Sequence, residues 1–121
     1  MSENPICYWE LASHNAEKSV EFFQKVFGWD FQKDADSPIH ELPVVSVGDF
    51  KGGGIFTLQK AKLPFLTVYI KVDSIIEKIK LIEQEGGFIV IDLFELPCGT
   101  KICLFNEPSG VTFGMIESAK E

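Results

Sequence analysis

Glu10 is the residue whose setting asks most directly for chemistry. It stands in Cys7-Tyr8-Trp9-Glu10-Leu11, where Cys7, Trp9 and Leu11 alternate with Tyr8 and Glu10 in the period-two pattern of a strand with one apolar face. A carboxylate on the other face, next to a phenol, must find a hydrogen-bond partner, take up a proton or bind a cationic or hydroxylic ligand. That makes Glu10 the candidate general base of the chain. The plainer reading pairs it with Lys71 or Lys101, lysines that otherwise protect strand ends. Tyr8 and Tyr69 offer aromatic surface with hydroxyl handles, suited to a small planar ligand or to ordinary packing with one wet end.

Other chemistry-bearing residues point nowhere in particular. Cys103 lies within a strand and Cys98 in a turn, neither beside a histidine or a helix start, so no thiol is activated for nucleophilic catalysis. His14 reads as a loop or capping residue and His40, beside Glu41, as a rim residue. Gly52-Gly53-Gly54 lacks the Lys and Ser/Thr of a phosphate loop and precedes a strand, so a hairpin or bulge is expected there.

Composition narrows the classes. A chain of 121 residues fits one domain with a core of its own. A net charge of -7, with eleven basic residues that form no run or aromatic-interleaved stripe, argues against nucleic acid. No apolar stretch has the length of a membrane span. Polar Ser2-Glu3-Asn4-Pro5 after Met1 and an odd count of cysteines, Cys7, Cys98 and Cys103, set the expectation of a cytoplasmic protein with reduced thiols.

The elements that must position these residues follow in order. After the first strand, Asn15 stands as an N-cap, and Ala16, Val20, Phe23 and Phe27 recur at helical spacing, with Phe22 and Val26 widening the stripe and Gly28 ending it. Trp29–Lys33, Ile39–Val47 and about Ile55–Gln59 read as three strands. The pattern then restarts. Phe65–Val72 is a strand with Val68, Ile70 and Val72 on one face; Ser74 caps a helix carried by Ile75, Ile76, Ile79 and Ile82 until Gly86-Gly87. Strands Phe88–Phe94, Thr100–Phe105 and Val111–Ile116 close the chain, the last two joined by a turn of Asn106, Pro108, Ser109 and Gly110. A shift of 59 places Asn15 on Ser74, Trp9 on Val68, Leu11 on Ile70, Phe22 on Leu81 and Gly28 on Gly87. The chain is one strand-helix-strand-strand-strand unit written twice, residues 5–59 and 65–117, within a single domain.

Asn15-Ala16-Glu17-Lys18-Ser19-Val20-Glu21-Phe22-Phe23 with Val26-Phe27-Gly28-Trp29, and later Tyr69-Ile70, Gly86-Gly87, Leu96-Pro97 and Glu107-Pro108-Ser109-Gly110, resemble the vicinal oxygen chelate superfamily of glyoxalase I, extradiol dioxygenases and bleomycin-resistance proteins. The resemblance implies an α+β fold, two βαβββ modules curling into an open cup-shaped mixed sheet with the helices outside. It gives the strand alternation a meaning: Tyr8, Glu10, Thr67, Tyr69, Thr112, Gly114 and Ile116 would face the cup. Family members that use a divalent metal hold it with His, Gln or Glu on these inner strands. Here the first ligand position falls on Tyr8, the second module's on Thr67 and the terminal carboxylate on Gly114, with Thr57 or Gln59 on the first module's last strand.

Tyrosine, threonine and glycine make a poor set of metal donors. The expectation is therefore a small-molecule-binding protein of the glyoxalase and bleomycin-resistance type without a cofactor, with Tyr8, Glu10, Thr67, Tyr69 and Gly114 at the ligand. Two alternatives stay open: a divalent-metal-dependent lyase, isomerase or dioxygenase, and an assembly-only protein with a vestigial cup. Whether it is an enzyme is thus open. The resemblance also implies a homodimer.

Overall fold

The computed structural model describes residues 4–33, 35–42, 52–58, 63–97 and 99–118. The chain divides into two compact units, Cys7–Thr67 and a second that joins Met1–Ile6 to Val68–Glu121.

In the first unit β1 (Ile6–Ser13) leads to α1 (Ala16–Phe27), β2 (His40–Leu42) and β3 (Gly53–Thr57). β3 lies parallel to β1 and antiparallel to β2, giving the order β2-β3-β1. Local chemistry sets the ends of α1. Asn15 Oδ1 accepts the Lys18 N–H at 3.2 Å, Thr57 Oγ1 accepts the Ala16 N–H at 3.0 Å, and Gly28 closes the helix at a left-handed φ of 71°. Ala16, Val20 and Ile55 form the buried core, with Trp9, Leu11, Phe23 and Phe31 packed against it. Burial of Ile55, which is wholly enclosed, contributes about 2–3 kcal/mol.

Three expectations change here. The strand expected over Trp29–Lys33 shrinks to one bridge, Gln32 to Glu41, with reciprocal N–H to carbonyl bonds of 2.7 and 2.6 Å. The reason is aromatic: Trp29 stacks on Phe23 with centroids 5.1 Å apart and also meets Phe27, Trp9 and Phe31, which ties this stretch to the helix. Phe22, Val26 and Phe27 stay exposed, so Ala16, Val20 and Phe23 carry the helix stripe inward. Of the glycine run only Gly52, at a left-handed φ of 84°, keeps turn geometry, while Gly53 and Gly54 are regular positions of β3 in register with Trp9 and Glu10. Residues 43–47 of the expected next strand, and Gln59, lie outside the described residues.

β4 (Phe65–Lys71), which belongs to the second unit from Val68 on, leads there to α2 (Ile75–Gln84), β5 (Phe88–Glu95), β6 (Lys101–Asn106) and β7 (Thr112–Glu117). β7 runs parallel to β4 and antiparallel to β6, which pairs with β5, so the order is β4-β7-β6-β5. Ser74 Oγ accepts the Glu77 N–H at 3.2 Å and Glu117 Oε1 accepts the Ile75 N–H at 2.8 Å. Val72, Ile75, Cys103 and Met115 are the core, joined by Ile70, Ile79, Ile82, Ile89, Leu93 and Phe105. The closing turn is organised by a residue the sequence reading passed over. Glu107 accepts the N–H groups of Ser109 and Val111 and the Ser109 hydroxyl, and these bonds, the hydroxyl first, lower its carboxyl pKa.

The repeat is visible in these details. Asn15 and Ser74 cap equivalent helices, and Thr57 and Glu117, from the last strand of each module, serve the first backbone N–H of each. One correspondence moves: the left-handed glycine after α2 is Gly86, at φ 92°, rather than Gly87, because α2 has 10 residues against 12 in α1. The α+β class and the two-module plan both hold.

Candidate ligand-binding site

In the first unit the site builds outward from strand parity. Trp9 and Leu11 of β1 pack on the α1 side, so Tyr8 and Glu10 take the opposite face. Register then defines a row. Glu10 is opposite Gly54 and Gly54 is opposite Glu41, and residues paired across strands share a face. Two carboxylates therefore flank a position that has no side chain. Tyr8 reaches into that gap: a Cβ built on Gly54 would stand 2.5 Å from the Tyr8 Oη and 2.7 Å from Cγ2 of Ile39. Burial, then the charges of Glu10 and Glu41, push the Tyr8 phenol above the ordinary tyrosine range, so it stays protonated.

The second unit repeats the vacancy and fills it by another route. Tyr69 is directly opposite Gly114, and Gly114 is opposite Leu104. A Cβ at Gly114 would fall well inside van der Waals contact of Tyr69 Cδ2 and Cε2 and 3.0 Å from Cδ2 of Leu104. One edge of the Tyr69 ring thus lies over the glycine, and the residue is only 6% exposed. Thr67, 3% exposed, precedes it on the same face of β4, while Ile70 and Val72 pack on the α2 side.

Of the residues singled out in the sequence, the structure brings Tyr8 and Glu10 together in one unit and Tyr69 and Gly114 in the other. Others leave the site. Thr57 turns to α1 and is spent on the Ala16 N–H, so it is no ligand candidate. His40 pairs with Ile55, which puts it on the α1 side of the sheet, where it lines an open cleft of about 420 Å³ with His14, Lys33 and the start of α1. Lys101 meets Glu117 at 3.9 Å on the α2 side, an arrangement that gives it a partner other than Glu10. Cys103 is sealed in the core, and burial, with the Asp92 charge adding, pushes its thiol up to about 11, away from the thiolate that a nucleophile needs. Cys98 lies outside the described residues.

Sequence reasoning missed Gly54 and Glu41. The signal for Gly54 was present, since a shift of 60 across the last strands places Gly54 on Gly114 and Thr57 on Glu117. With the register known, the first module's counterpart of the terminal carboxylate position is Gly54 rather than Thr57 or Gln59. A divalent ion therefore does not fit these residues. The terminal carboxylate position, Gly114, and its counterpart Gly54 are glycines whose side-chain space is already taken by tyrosine, Tyr8 and Thr67 offer a protonated phenol and a hydroxyl, and the carboxylates beside Tyr8 are the pair Glu10 and Glu41. Among the described residues no group of three or more His, Cys, Asp or Glu side chains gathers as metal ligands do.

The family model of the Glyoxalase/Bleomycin resistance protein/Dioxygenase superfamily matches residues 6–115. The chain belongs to this superfamily. Solved structures agree on the fold. A hypothetical protein from Bacillus halodurans C-125 has a TM-score of 0.71 at 15% identity, covering 99% of this chain and 98% of its own. A variant of Streptomyces coelicolor methylmalonyl-CoA epimerase in complex with 2-nitronate-propionyl-CoA gives 0.67 at 14%, covering 98% and 100%. The methylmalonyl-CoA epimerase from Mycobacterium tuberculosis gives 0.63 at 13%, covering 95% and 88%. No curated protein sequence matches the chain. At these identities the superfamily member shares a fold with the epimerases, and its site must be read from its own residues.

Proposed function

We propose that this superfamily member is a single-domain, cytoplasmic, homodimeric protein that binds a small molecule without a resident metal, with Tyr8, Glu10, Thr67, Tyr69 and Gly114 as its ligand-binding residues. The observation that carries the reading is that Gly114, where the resemblance puts the terminal carboxylate, and Gly54, its counterpart in the first module, are both glycines covered by a tyrosine side chain. A metal site needs several strong oxygen or nitrogen donors around open space. The same positions instead supply an aromatic floor, a phenol donor between two carboxylates and a threonine hydroxyl, which suits a small planar ligand bearing a hydrogen-bonding group.

Elemental analysis of protein purified without chelator, together with thermal shifts over Mn, Fe, Co, Ni and Zn, tests the absence of a metal. Trace metal and no ion-specific stabilisation are expected; a stoichiometric ion whose removal lowers Tm would overturn the proposal in favour of a metal-dependent lyase, isomerase or dioxygenase. A panel of small planar carbonyl and hydroxyl compounds tests the binding. Compounds that raise Tm for the wild type should lose that effect in Tyr8→Phe and Glu10→Gln, which preserve shape.

A further inference from the structure

On the side of β4 opposite Tyr69, the second unit holds a cavity of about 230 Å³. Its walls are Ile70 and Val72 of β4, Leu81 and Ile82 of α2, Phe105 of β6 and Met115 of β7; only Asn4 and Lys78 bring polar atoms. The cavity is continuous with the buried core, since Val72 and Met115 belong to it and Ile70, Ile82 and Phe105 pack against it. It opens outward beside Leu81, which is 49% exposed. Lys78 is half-buried at this opening, and among the described residues it has no ion-pair partner, whereas Lys80 on the same helix meets Glu77.

We propose that this cavity is a second ligand site, one for a small amphiphilic carboxylate with an aliphatic or arylaliphatic body. The apolar walls take the body. At the packing density of protein interiors the volume holds roughly ten carbon atoms, about a phenyl ring with a three-carbon chain. Apolar space of this order binds apolar guests because water inside it lacks polar partners. The charge of the ligand follows from Lys78. In a chain of net charge -7 an unpaired cation at the rim of an apolar cavity favours an anionic head and disfavours a cationic one.

The site is distinct from the proposed metal-free site, because its strand residues have the opposite parity to Tyr69 and Gly114. Met115 provides the reporter. The chain has two methionines, Met1 and Met115, so protein labelled with ¹³C-methyl methionine gives the Met115 methyl a resolved signal inside the cavity wall. Titration with 4-phenylbutyrate is expected to move that signal saturably at millimolar concentration. 4-Phenylbutanol should bind at least about threefold more weakly, and 4-phenylbutylamine more weakly still, in line with an exposed charge pair. Lys78→Glu should weaken the carboxylate by a similar factor, and Leu81→Trp, at a half-exposed position, should abolish the shift by filling the opening. The proposal is overturned by the absence of a saturable shift, by a shift that survives in Leu81→Trp, or by an amine that binds as tightly as the carboxylate. Lys78→Glu, a surface change, keeps the charge claim testable should Leu81→Trp fail to fold.

Discussion

Gly114→Ala is the perturbation that most directly tests the tyrosine-over-glycine arrangement. Gly114 has no left-handed backbone, so alanine costs nothing in φ and would by itself stabilise the strand by about 0.4–1 kcal/mol through the unfolded chain. Contact decides the opposite sign. The new Cβ would overlap the edge of the Tyr69 ring, with Leu104 3.0 Å away on the other side, and Tyr69 is almost fully buried, so the ring cannot simply swing into water. Overpacking of this kind costs about 1–3 kcal/mol, leaving a net loss of about 1–2 kcal/mol. Tyr69→Ala alone should cost roughly 3–5 kcal/mol, as for other buried aromatics. In that background the ring is gone, and Gly114→Ala should be neutral or slightly stabilising. Urea denaturation of the four proteins, with m-values unchanged, measures the coupling, expected at about 2 kcal/mol. Equal costs of Gly114→Ala in both backgrounds would refute the reasoning.

Two further predictions concern devices outside the site. Thr57→Val keeps shape but leaves the Ala16 N–H without its acceptor, and should lower stability by about 1–2 kcal/mol in urea, while Thr57→Ser should keep most of it. Cys103 has a thiol pKa raised from 9.0 to about 11 by burial, so the unfolded chain ionises first as pH rises. Its contribution is fully present below 9.0 and lost progressively up to about 11, amounting to about 3 kcal/mol by the conversion of pKa shift to free energy. Urea midpoints across that range should fall more steeply for wild type than for Cys103→Val.

Legibility in the sequence followed the range of the forces involved. Caps and stripes were readable because Asn15, Ser74, Val20 and Ile75 act within a turn or two of themselves, and the structure places each in that role. The strand faces of β1 and β4 were readable for the same reason, alternation being local. What was missed depended on pairing. Trp29–Lys33 has strand composition, but its aromatics bind α1 instead of a neighbouring strand, and no local pattern distinguishes the two. The glycine run looked like a turn because glycine usually is one. Only the register with Trp9 and Glu10 shows it as a seat for side chains from β1, with Trp9 covering Gly53 on one face and Tyr8 covering Gly54 on the other. His40 likewise changes sides once its partner is Ile55.

The two glycine seats constrain how this site can change. In each module the glycine and its tyrosine are interdependent: a side chain at Gly54 would strike the Tyr8 hydroxyl and Ile39, one at Gly114 would strike the Tyr69 ring, and loss of either tyrosine side chain would leave a hole beside its glycine. A carboxylate therefore cannot be restored at either place by one substitution without the overpacking cost worked out above. The coupling is not a simple copy made by the repeat, since Tyr69 sits directly opposite Gly114 whereas Tyr8 reaches Gly54 from two residues before the position opposite it. The position opposite Gly54 is occupied by Glu10, the counterpart of Tyr69. The two vacancies are thus filled from different strand positions, each by its own packing. One result is that the first module keeps a carboxylate, Glu10, where the second has aromatic surface, so the two halves of the repeat present different chemistry from equivalent places in their strands.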